Sequence, residues 1–250
     1  MNRLSNRLMS IAAQVKPGKV LADIGCDHGY LPILLVKNGC MSRALAMDIN
    51  EGPLLRAKEH IVQEALGDYI QTRQSNGMEK LAVGEVDAVI IAGMGGNLTI
   101  DILTRGKAVA ECLEQLILEP QSELAAVRKY LREVNYCVAA EDLVLEDGKF
   151  YPILRVLPKQ KSDAELFAKE SGLDMRVIDA YGQHLLAMRH PVLQMYLEKE
   201  SQQWQQILQG LVQNGTDEER IRARREELLE KLSYNQAAQA YMRDERNCSV

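Results

Sequence analysis

Residues 21–30 read LADIGCDHGY, and this short stretch decides the fold class. An apolar strand ends at Ile24, and Gly25 and Gly29 frame a turn before the apolar helix predicted over residues 30–38. At the carboxyl end of a parallel strand, a glycine turn of this kind lets the backbone come close to a nucleotide-like cofactor. The stretch therefore predicts the first strand, turn and helix of a cofactor-binding α/β domain.

The side chains of the turn distinguish between cofactors. Dinucleotide-binding enzymes carry the pattern G-x-G-x-x-G here and seat a pyrophosphate on the helix N-terminus. Position 27 is aspartate instead, and its carboxylate would repel two phosphates. S-Adenosylmethionine has no phosphate, and its sulfonium and amino groups are positive. The acidic turn therefore favours S-adenosylmethionine as the cofactor and disfavours NAD.

Short apolar strands alternate with helical stretches across residues 1–158. The predicted strands cover residues 20–24, 44–49, 69–74, 86–92, 115–118, 135–144 and 150–157. The alternation implies a parallel sheet covered by helices on both faces, and a hairpin turn at 146–149 makes one of the last two strands antiparallel. We therefore predict an α/β fold with a Rossmann-like seven-stranded methyltransferase sheet over residues 1–158.

Residues 159–250 are predicted to form a separate helical domain. Apolar residues recur at spacings of three and four over 193–211 and over 221–232, and Asn214-Gly215 between them is a turn signal. This pattern favours an antiparallel, coiled-coil-like hairpin within one chain, and hence a monomer. A long dimeric coiled coil is the weaker alternative, because each arm has fewer than four heptads.

Two local details of the helical domain are also predicted. Ser162 and Thr216 each stand three residues before a glutamate, which is the capping-box pattern that begins helices. Glu200 and Arg225 fall at apolar seam positions of the two arms. We expect these two side chains to pair with each other.

The residues that would hold the cofactor follow the carboxyl ends of the first four strands. Asp48 ends the second strand 23 residues after Gly25, near the usual interval of about 20, and can accept hydrogen bonds from both ribose hydroxyls. Asn76 can meet the exocyclic amine of adenine, although an ordinary Asn-Gly turn is an equal alternative. Three glycines within residues 93–96 let a flat ligand approach the backbone. The candidate cofactor-binding residues are Asp23, Gly25, Cys26, Gly29, Asp48, Ile49, Asn76, Gly77, Gly93 and Met94.

Composition excludes several other classes of protein. The formal charge of −5 lacks a strongly basic balance, although for nucleic-acid binding the local distribution of charge matters more than the total. No apolar run approaches the roughly 18 residues that cross a bilayer, and the first ten residues lack a secretory signal's apolar stretch. The five cysteines are scattered, and no His, Cys or carboxylate cluster has metal-ligand spacing. We therefore expect a cytoplasmic protein with no membrane segment and no metal.

Four segments together carry a specific resemblance. LADIGCDHGYLPI, AMDIN, IAGMGG and LILEPQ, in this order and followed by a helical tail, resemble the TrmK family of bacterial tRNA (adenine-1-)-methyltransferases, whose members modify the adenine at position 22 of tRNA. The similarity covers nearly the whole chain, and DIGCDHGYLPI is much narrower than the general methyltransferase glycine turn. The resemblance implies a Rossmann-like catalytic domain, a coiled-coil-like C-terminal domain, S-adenosylmethionine as methyl donor and tRNA as acceptor.

Asp27 and His28 are the candidate catalytic residues. The ring nitrogen on adenine's Watson–Crick edge must be unpaired or extruded before it can attack a methyl group. A carboxylate that accepts from the exocyclic amine would stabilise the positive charge developing on the ring, and Asp27 is the candidate. Binding the donor's positively charged methionine end is an equal alternative for Asp27. His28 could orient the base or stack on it, or it could only hold the turn. For Tyr30, packing in the core is favoured over stacking on the base.

Two basic clusters are the candidate tRNA contacts. The first consists of Arg3, Arg7, Lys16 and Lys19, in a stretch of 22 residues without an acid; the second includes Arg222 and Arg225. Acids follow the second cluster closely, so a salt-bridged helix face is the alternative there, and a solvated face is the alternative for the first. If either cluster contacts phosphates, charge reversal should weaken tRNA binding and flatten its salt dependence.

Three other functions remain open from the residues alone. One is methyl transfer to a small molecule or a protein, and another is a non-catalytic module that binds S-adenosylmethionine. The helical appendage and the basic N-terminal helix favour RNA as the acceptor. An NAD oxidoreductase is the weakest alternative because of Asp27.

Overall fold

The computed structural model describes residues 4–214 and 218–244, with the side chains of 212–214 and 218 left out. The chain divides into two compact units, Met1–Ser162 and Asp163–Val250. The first contains α1 (Asn6–Gln14), β1 (Gly18–Ile24), α2 (Tyr30–Lys37), β2 (Met41–Asp48), α3 (Glu51–Gln63), β3 (Ile70–Gln74), β4 (Ala88–Met94), α4 (Gly96–Arg105), α5 (Lys107–Ala110), β5 (Gln115–Pro120), α6 (Leu124–Glu133), β6 (Cys137–Glu146) and β7 (Lys149–Leu157).

The seven strands form one sheet in the order β3-β2-β1-β4-β5-β7-β6. Strands β1 to β5 run parallel to one another, whereas β7 runs antiparallel to both of its neighbours, β5 and β6. The predicted Rossmann-like seven-stranded sheet is therefore confirmed. The strand order reverses direction between β1 and β4, and in parallel sheets this switch point opens a crevice at the carboxyl ends of the strands.

Both faces of the sheet are buried, which explains why its central strands are apolar throughout. Successive residues of a strand point to opposite faces, so Val89 and Ile91 of β4 join one hydrophobic cluster while Ile90 joins the other. The first cluster is covered by α4, α5 and α6, and the second by α1, α2 and α3. Each fully buried Val, Leu or Ile contributes about 1.5–3 kcal/mol. The core thereby fixes the loops that follow β1, β2, β4 and β5.

The second unit is helical, as predicted. It contains α7 (Ala164–Ser171), α8 (Met175–Tyr181), α9 (Gln183–Ala187), α10 (Pro191–Asn214) and α11 (Glu218–Arg243). The last two helices pack antiparallel, because Asn235 late in α11 donates a hydrogen bond to the carbonyl of Leu197 early in α10, at 3.0 Å. Leu193 and Leu228 are buried with Leu197 along this contact.

Two details predicted for this unit differ in the structure. Helix α7 has Asp163 rather than Ser162 at its N-cap, and that side chain makes no capping hydrogen bond. The expected pair between Glu200 and Arg225 is wrong: the Tyr181 hydroxyl donates to Glu200 at 3.2 Å, and Arg225 is exposed. Helix α8, which the sequence did not predict individually, supplies this partner.

The predicted turn at Asn214-Gly215 and the predicted helix start at Thr216 are only partly covered by the structure. Asn214 is the last residue of α10 rather than a turn residue. Gly215 and Thr216 lie outside the described residues. No helix within 4–214 and 218–244 is long and apolar enough to cross a membrane.

Candidate active site

The turn after β1 is held in a left-handed conformation that only a few residue types accept. Gly25 and Gly29 have φ values of 77° and 71°. The amides of Gly25 and Cys26 both donate to the Met47 carbonyl of β2, at 2.7 and 3.0 Å, which folds the turn back over the sheet edge. A Cβ built at Gly25 would overlap the Met94 methyl carbon at the end of β4. The absent side chain therefore lets the Met94 side chain pack directly against the turn after β1.

A cavity of about 190 Å³ opens beside this turn. The predicted site residues that line it are Asp23, Gly25, Cys26, Asp27 and His28. Helix α1 contributes Arg7 to its wall, and β4 contributes Ala92. The carboxyl ends of β1 and β4 therefore share one cavity, as the strand order requires.

Asp23 gives the cavity a buried acid at its base. Burial, and secondarily the neighbouring Asp48 carboxylate, raises the pKa of Asp23 to about 7. A positive ligand group beside Asp23 would favour the ionised form, so the sulfonium and ammonium groups of S-adenosylmethionine match this acid. Burial also raises the pKa of the Cys26 thiol, which leaves Cys26 as a small wall residue rather than a nucleophile.

Asp27 is exposed and conformationally strained. Its φ is 45°, in a region that residues with a Cβ rarely adopt, and its side chain is 64% exposed. The Arg56 guanidinium donates to its Oδ1 at 2.9 Å, and His28 Nε2 lies 3.4 Å from its Oδ2. Two neighbours therefore orient this carboxylate at the cavity. Strain of this kind is characteristic of functional sites.

Three aromatic rings lie together beside Asp27. The centroids of His28, Tyr30 and His60 are 5.3 to 5.6 Å apart, and their planes differ by 16° to 24°. His60 Nδ1 lies 2.9 Å from the His28 carbonyl oxygen, which fixes its ring. Tyr30 is 37% exposed, so its expected packing in the core is wrong.

Helix α3 supplies two residues that sequence reasoning missed. Arg56 and His60 are one helical turn apart on α3, and both reach the turn after β1. The available signal was that Arg56 and His60 stand four residues apart on the helix that follows Asp48, the acid at the end of β2. That spacing alone does not say which neighbour the helix face meets.

The loops after β2 and β3 lie side by side at the same sheet edge. The Ser75 amide donates to the Asp48 carbonyl at 2.9 Å, and Asp48 Oδ1 accepts from the Asn50 amide at 2.8 Å. Oδ2 of Asp48 has no partner in the described part of the chain, so it can accept from a ribose hydroxyl. Ile49 is exposed beside it.

The loop after β3 supplies the two remaining candidates for the adenine end. Asn76 is exposed, and its amide nitrogen donates to Glu79 Oε1 at 3.0 Å, so its amide oxygen remains for an exocyclic amine. Gly77 is buried with φ 59°, and a Cβ there would lie 3.1 Å from Ile102. Both residues therefore lie in the loop that adjoins the end of β2.

The loops after β4 and β5 are joined through a buried carboxyl group. Glu119 is 0% exposed, and its Oε2 accepts from the Gly93 amide at 2.8 Å and from Arg7 Nη1 at 3.2 Å. The Gln121 amide donates to the Met94 carbonyl at 2.8 Å. Burial raises the pKa of Glu119 to about 7, although Arg7 and the Gly93 amide oppose the shift.

The predicted tRNA contacts fall at different places in the structure. Arg7 lines the cavity, whereas Lys16 and Lys19 are exposed near the amino end of β1. Lys19 stands six positions before Gly25, which corresponds to roughly 20 Å along an extended strand. The structure therefore does not bring these lysines to the cavity, and Arg3 lies outside the described residues.

The predicted contacts of the second unit are both on α11. Arg222 pairs with Glu226 at 3.3 Å, and Arg225 is exposed. Both therefore face solvent on one helix.

As for metals, the described residues hold no group of three or more His, Cys, Asp or Glu side chains that could bind an ion.

Comparisons with known proteins agree with this geometry. The sequence matches the family described as "Methyltransferase domain" over residues 4–154. It is 34% identical over 230 residues to the tRNA (adenine(22)-N(1))-methyltransferase of Bacillus subtilis strain 168, covering 92% of this chain and 94% of the relative.

Two solved structures extend the likeness to the whole fold. The crystal structure of B. subtilis m1A22 tRNA methyltransferase TrmK is 31% identical, with a TM-score of 0.84, and the match covers 95% of this chain and 99% of that one. M. capricolum TrmK, solved with the cofactor product S-adenosylhomocysteine, is 26% identical with a TM-score of 0.80, over 96% of this chain and 99% of that one.

The sheet order, the acidic glycine turn and the cavity beside it define an S-adenosylmethionine-dependent methyltransferase. The extent of the match to the B. subtilis enzyme is more specific. This chain belongs to the TrmK family of tRNA (adenine-1-)-methyltransferases.

Proposed function

We propose that this chain transfers a methyl group from S-adenosylmethionine to N1 of the adenine at position 22 of tRNA. The observation that carries the proposal is the cavity in which the acidic turn after β1 meets the end of β4. The acceptor is taken from the B. subtilis tRNA (adenine(22)-N(1))-methyltransferase, which aligns with 92% of this chain.

The residues at the carboxyl edge of the sheet fit each part of the cofactor. When bound, S-adenosylmethionine supplies an electrophilic methyl group on a positive sulfur. Asp48 Oδ2 would accept a hydrogen bond from the ribose, and Asn76 and Gly77 would hold the adenine ring. Asp23, which is buried and lines the cavity, would bind the positive methionine end. Gly25 lines the same cavity without a side chain of its own.

Asp27 is the residue that we place beside the acceptor base. N1 of adenine is a neutral nucleophile, so no proton has to leave before attack. The positive charge that develops on the ring is stabilised by a carboxylate accepting from the exocyclic amine. Arg56 and His28 hold the Asp27 carboxylate in one orientation from two sides. His28 and Tyr30 provide aromatic surface on which an extruded base can stack.

We assign catalysis to residues 1–158 and part of the tRNA contact to residues 159–250, through Arg222 and Arg225 of α11. We also place the enzyme in the cytoplasm. The cysteines in the described residues are free thiols, as in a reducing compartment.

A methyl-transfer assay tests the proposal directly. The protein is incubated with labelled S-adenosylmethionine and unmodified tRNA, and the product is mapped by reverse-transcriptase stops, which methylation at N1 causes. We expect a stop at position 22 and none in a matched tRNA that carries guanine there. Methyl incorporation at another nucleotide, or none by a protein that binds the donor, would overturn it.

Asp27→Asn separates catalysis from cofactor binding. Asparagine accepts the left-handed conformation of residue 27, so the turn is preserved. We expect turnover to fall about 10²–10³-fold, with donor affinity little changed. Arg56→Gln is the comparison: it keeps the carboxylate but removes one of the two groups that orient it, so turnover should fall less than in Asp27→Asn. Loss of donor affinity in Asp27→Asn would instead make Asp27 a cofactor-binding residue.

A further inference from the structure

Arg7 and Glu119 form an ion pair at the cavity wall that the proposed mechanism does not use. Arg7 Nη1 lies 3.2 Å from Glu119 Oε2, and the two residues are 112 positions apart in the chain. The Arg7 side chain is 27% exposed and lines the cavity, whereas Glu119 is fully buried behind it. Oε1 of Glu119 has no hydrogen-bond partner in the part of the chain that the structure describes.

The pair is not needed to attach helix α1. The Asn6 amide donates to Glu146 Oε1 at 2.7 Å, and the Ser10 hydroxyl hydrogen-bonds to Asp142, so the β6–β7 hairpin already holds this helix. Ile11 is buried in the core beneath it. A buried ion pair is a weak way to stabilise a fold, since apolar side chains of similar size often do as well or better. We therefore look for the function of the Arg7–Glu119 pair in the cavity that Arg7 lines.

The Arg7 guanidinium is fixed in position and has hydrogen-bond donors to spare. Glu119 takes one of its five N–H groups, and the Tyr151 ring lies 5.2 Å from its Cζ. None of the remaining donors has an acceptor within the described residues. The other arginine near the turn, Arg56, is engaged by Asp27. Arg7 is therefore the cavity-lining cation with free donors, beside the acids Asp23 and Asp27.

We propose that Glu119 positions Arg7 so that its guanidinium binds an oxyanion of one of the reactants. Arginine recognises carboxylates and phosphates alike through paired N–H groups, so two sources share this chemistry. One is the methionine carboxylate of S-adenosylmethionine, which Asp23 and Asp27 would repel. The other is a phosphate of the target nucleotide. The inference rests on the proposed function, because it takes its ligands from that reaction.

Binding measurements without turnover distinguish the two sources. Calorimetry gives the affinity of wild type and Arg7→Gln for S-adenosylmethionine and for its decarboxylated form, which lacks only the carboxylate. If the carboxylate is the ligand, Arg7→Gln binds S-adenosylmethionine about 10- to 100-fold more weakly and the decarboxylated form unchanged. If a phosphate is the ligand, donor binding is unchanged, tRNA binding weakens by a similar factor, and its salt slope falls by about one.

Two further variants test the positioning role of Glu119. Glu119→Gln keeps the size and an acceptor oxygen but not the charge, so we expect a smaller loss for the same ligand. The double variant with Arg7→Gln should bind no worse than Arg7→Gln alone, because both changes act through one guanidinium. Ser10→Ala is the control: it loosens the same helix without touching Arg7, and neither affinity should change.

Three results overturn the inference. In the first, Arg7→Gln leaves both affinities within about twofold of wild type. In the second, Ser10→Ala weakens binding as much as Arg7→Gln, which would mean that only the placement of α1 matters. In the third, the losses of affinity caused by Arg7→Gln and by Glu119→Gln add up in the double variant. Methylation of tRNA by the wild-type protein is scored separately, so failure of the proposed function is distinguishable from failure here.

Discussion

A single methyl group added at Gly25 would disturb the turn that lines the cavity. Gly25→Ala places a Cβ in conflict with the Met94 methyl carbon, which must turn away. It also forces an L-residue to adopt φ 77°. The substitution therefore has a backbone effect and a site effect, and the two must be separated.

Gly39→Ala is the matched control for the backbone effect. Gly39 has φ 73°, nearly that of Gly25, and a Cβ there would meet nothing within 4 Å among the described residues. Each variant should lose about 1–2 kcal/mol of unfolding free energy from the left-handed conformation. In a chain of this size, that lowers Tm by about 2–8 °C. Turning the flexible Met94 side chain adds about 0.5–1.5 kcal/mol in Gly25→Ala alone.

Cofactor affinity should separate the two variants far more than stability does. Calorimetric titration with S-adenosylmethionine is expected to give wild-type affinity for Gly39→Ala, since that residue is remote from the cavity. Gly25→Ala should bind at least about 10-fold more weakly, because the added methyl group and the displaced Met94 side chain change the wall that Gly25 gives to the cavity. The reasoning is refuted if Gly25→Ala loses stability like Gly39→Ala yet binds the cofactor as tightly.

Three other predictions address electrostatics at the site and on the second unit. Burial raises the pKa of Asp23 from 3.8 to about 7, so the folded state holds this proton more tightly than the unfolded state does. The resulting contribution to the free energy of unfolding is complete below pH 3.8 and is lost as the pH rises through about 7. Urea unfolding of the cofactor-free protein should show this decline, with a shallower one in Asp23→Asn, and an equal decline in both would contradict it. Asp48→Ala should lower S-adenosylmethionine affinity about 10- to 100-fold by removing the ribose acceptor, and a change under twofold would exclude that role. Arg222→Glu combined with Arg225→Glu should weaken tRNA binding and reduce the slope of log affinity against log salt concentration by one to two. Filter binding from low to moderate salt measures this slope, and an unchanged slope would exclude both residues from the interface.

The fold was predictable because its signals are local. The strand that ends at Ile24 and the fully apolar β4 are consequences of a sheet buried on both faces, and the alternation with helices then determines the layers. Strand boundaries were less accurate. Strand β2 begins at Met41 rather than at Ala44, since pairing with β1 extends the strand through the exposed Ser42 and Arg43.

The turn after β1 was also predictable, but its surroundings were not. Gly25 and Asp27 are adjacent in sequence, so their chemistry could be interpreted without a structure. The partner of Arg7 is Glu119, and the neighbour of Asp27 is Arg56 on a helix 29 residues away. Pairs of this kind depend on how helices dock against the sheet, which spacing along the chain does not encode.

The left-handed conformation of Asp27 limits how this turn can change over generations. One nucleotide change converts an aspartate codon into codons for Asn, Gly, Ala, Val, Glu, His or Tyr. Of these, Asn and Gly adopt a φ of 45° most readily, and a β-branched valine is the worst suited. Asn and Gly both lack the carboxylate that we propose for catalysis, so a spontaneous variant at this position should either disturb the turn or lose activity. A compound that bound the turn through its backbone amides would leave few escape mutations open there.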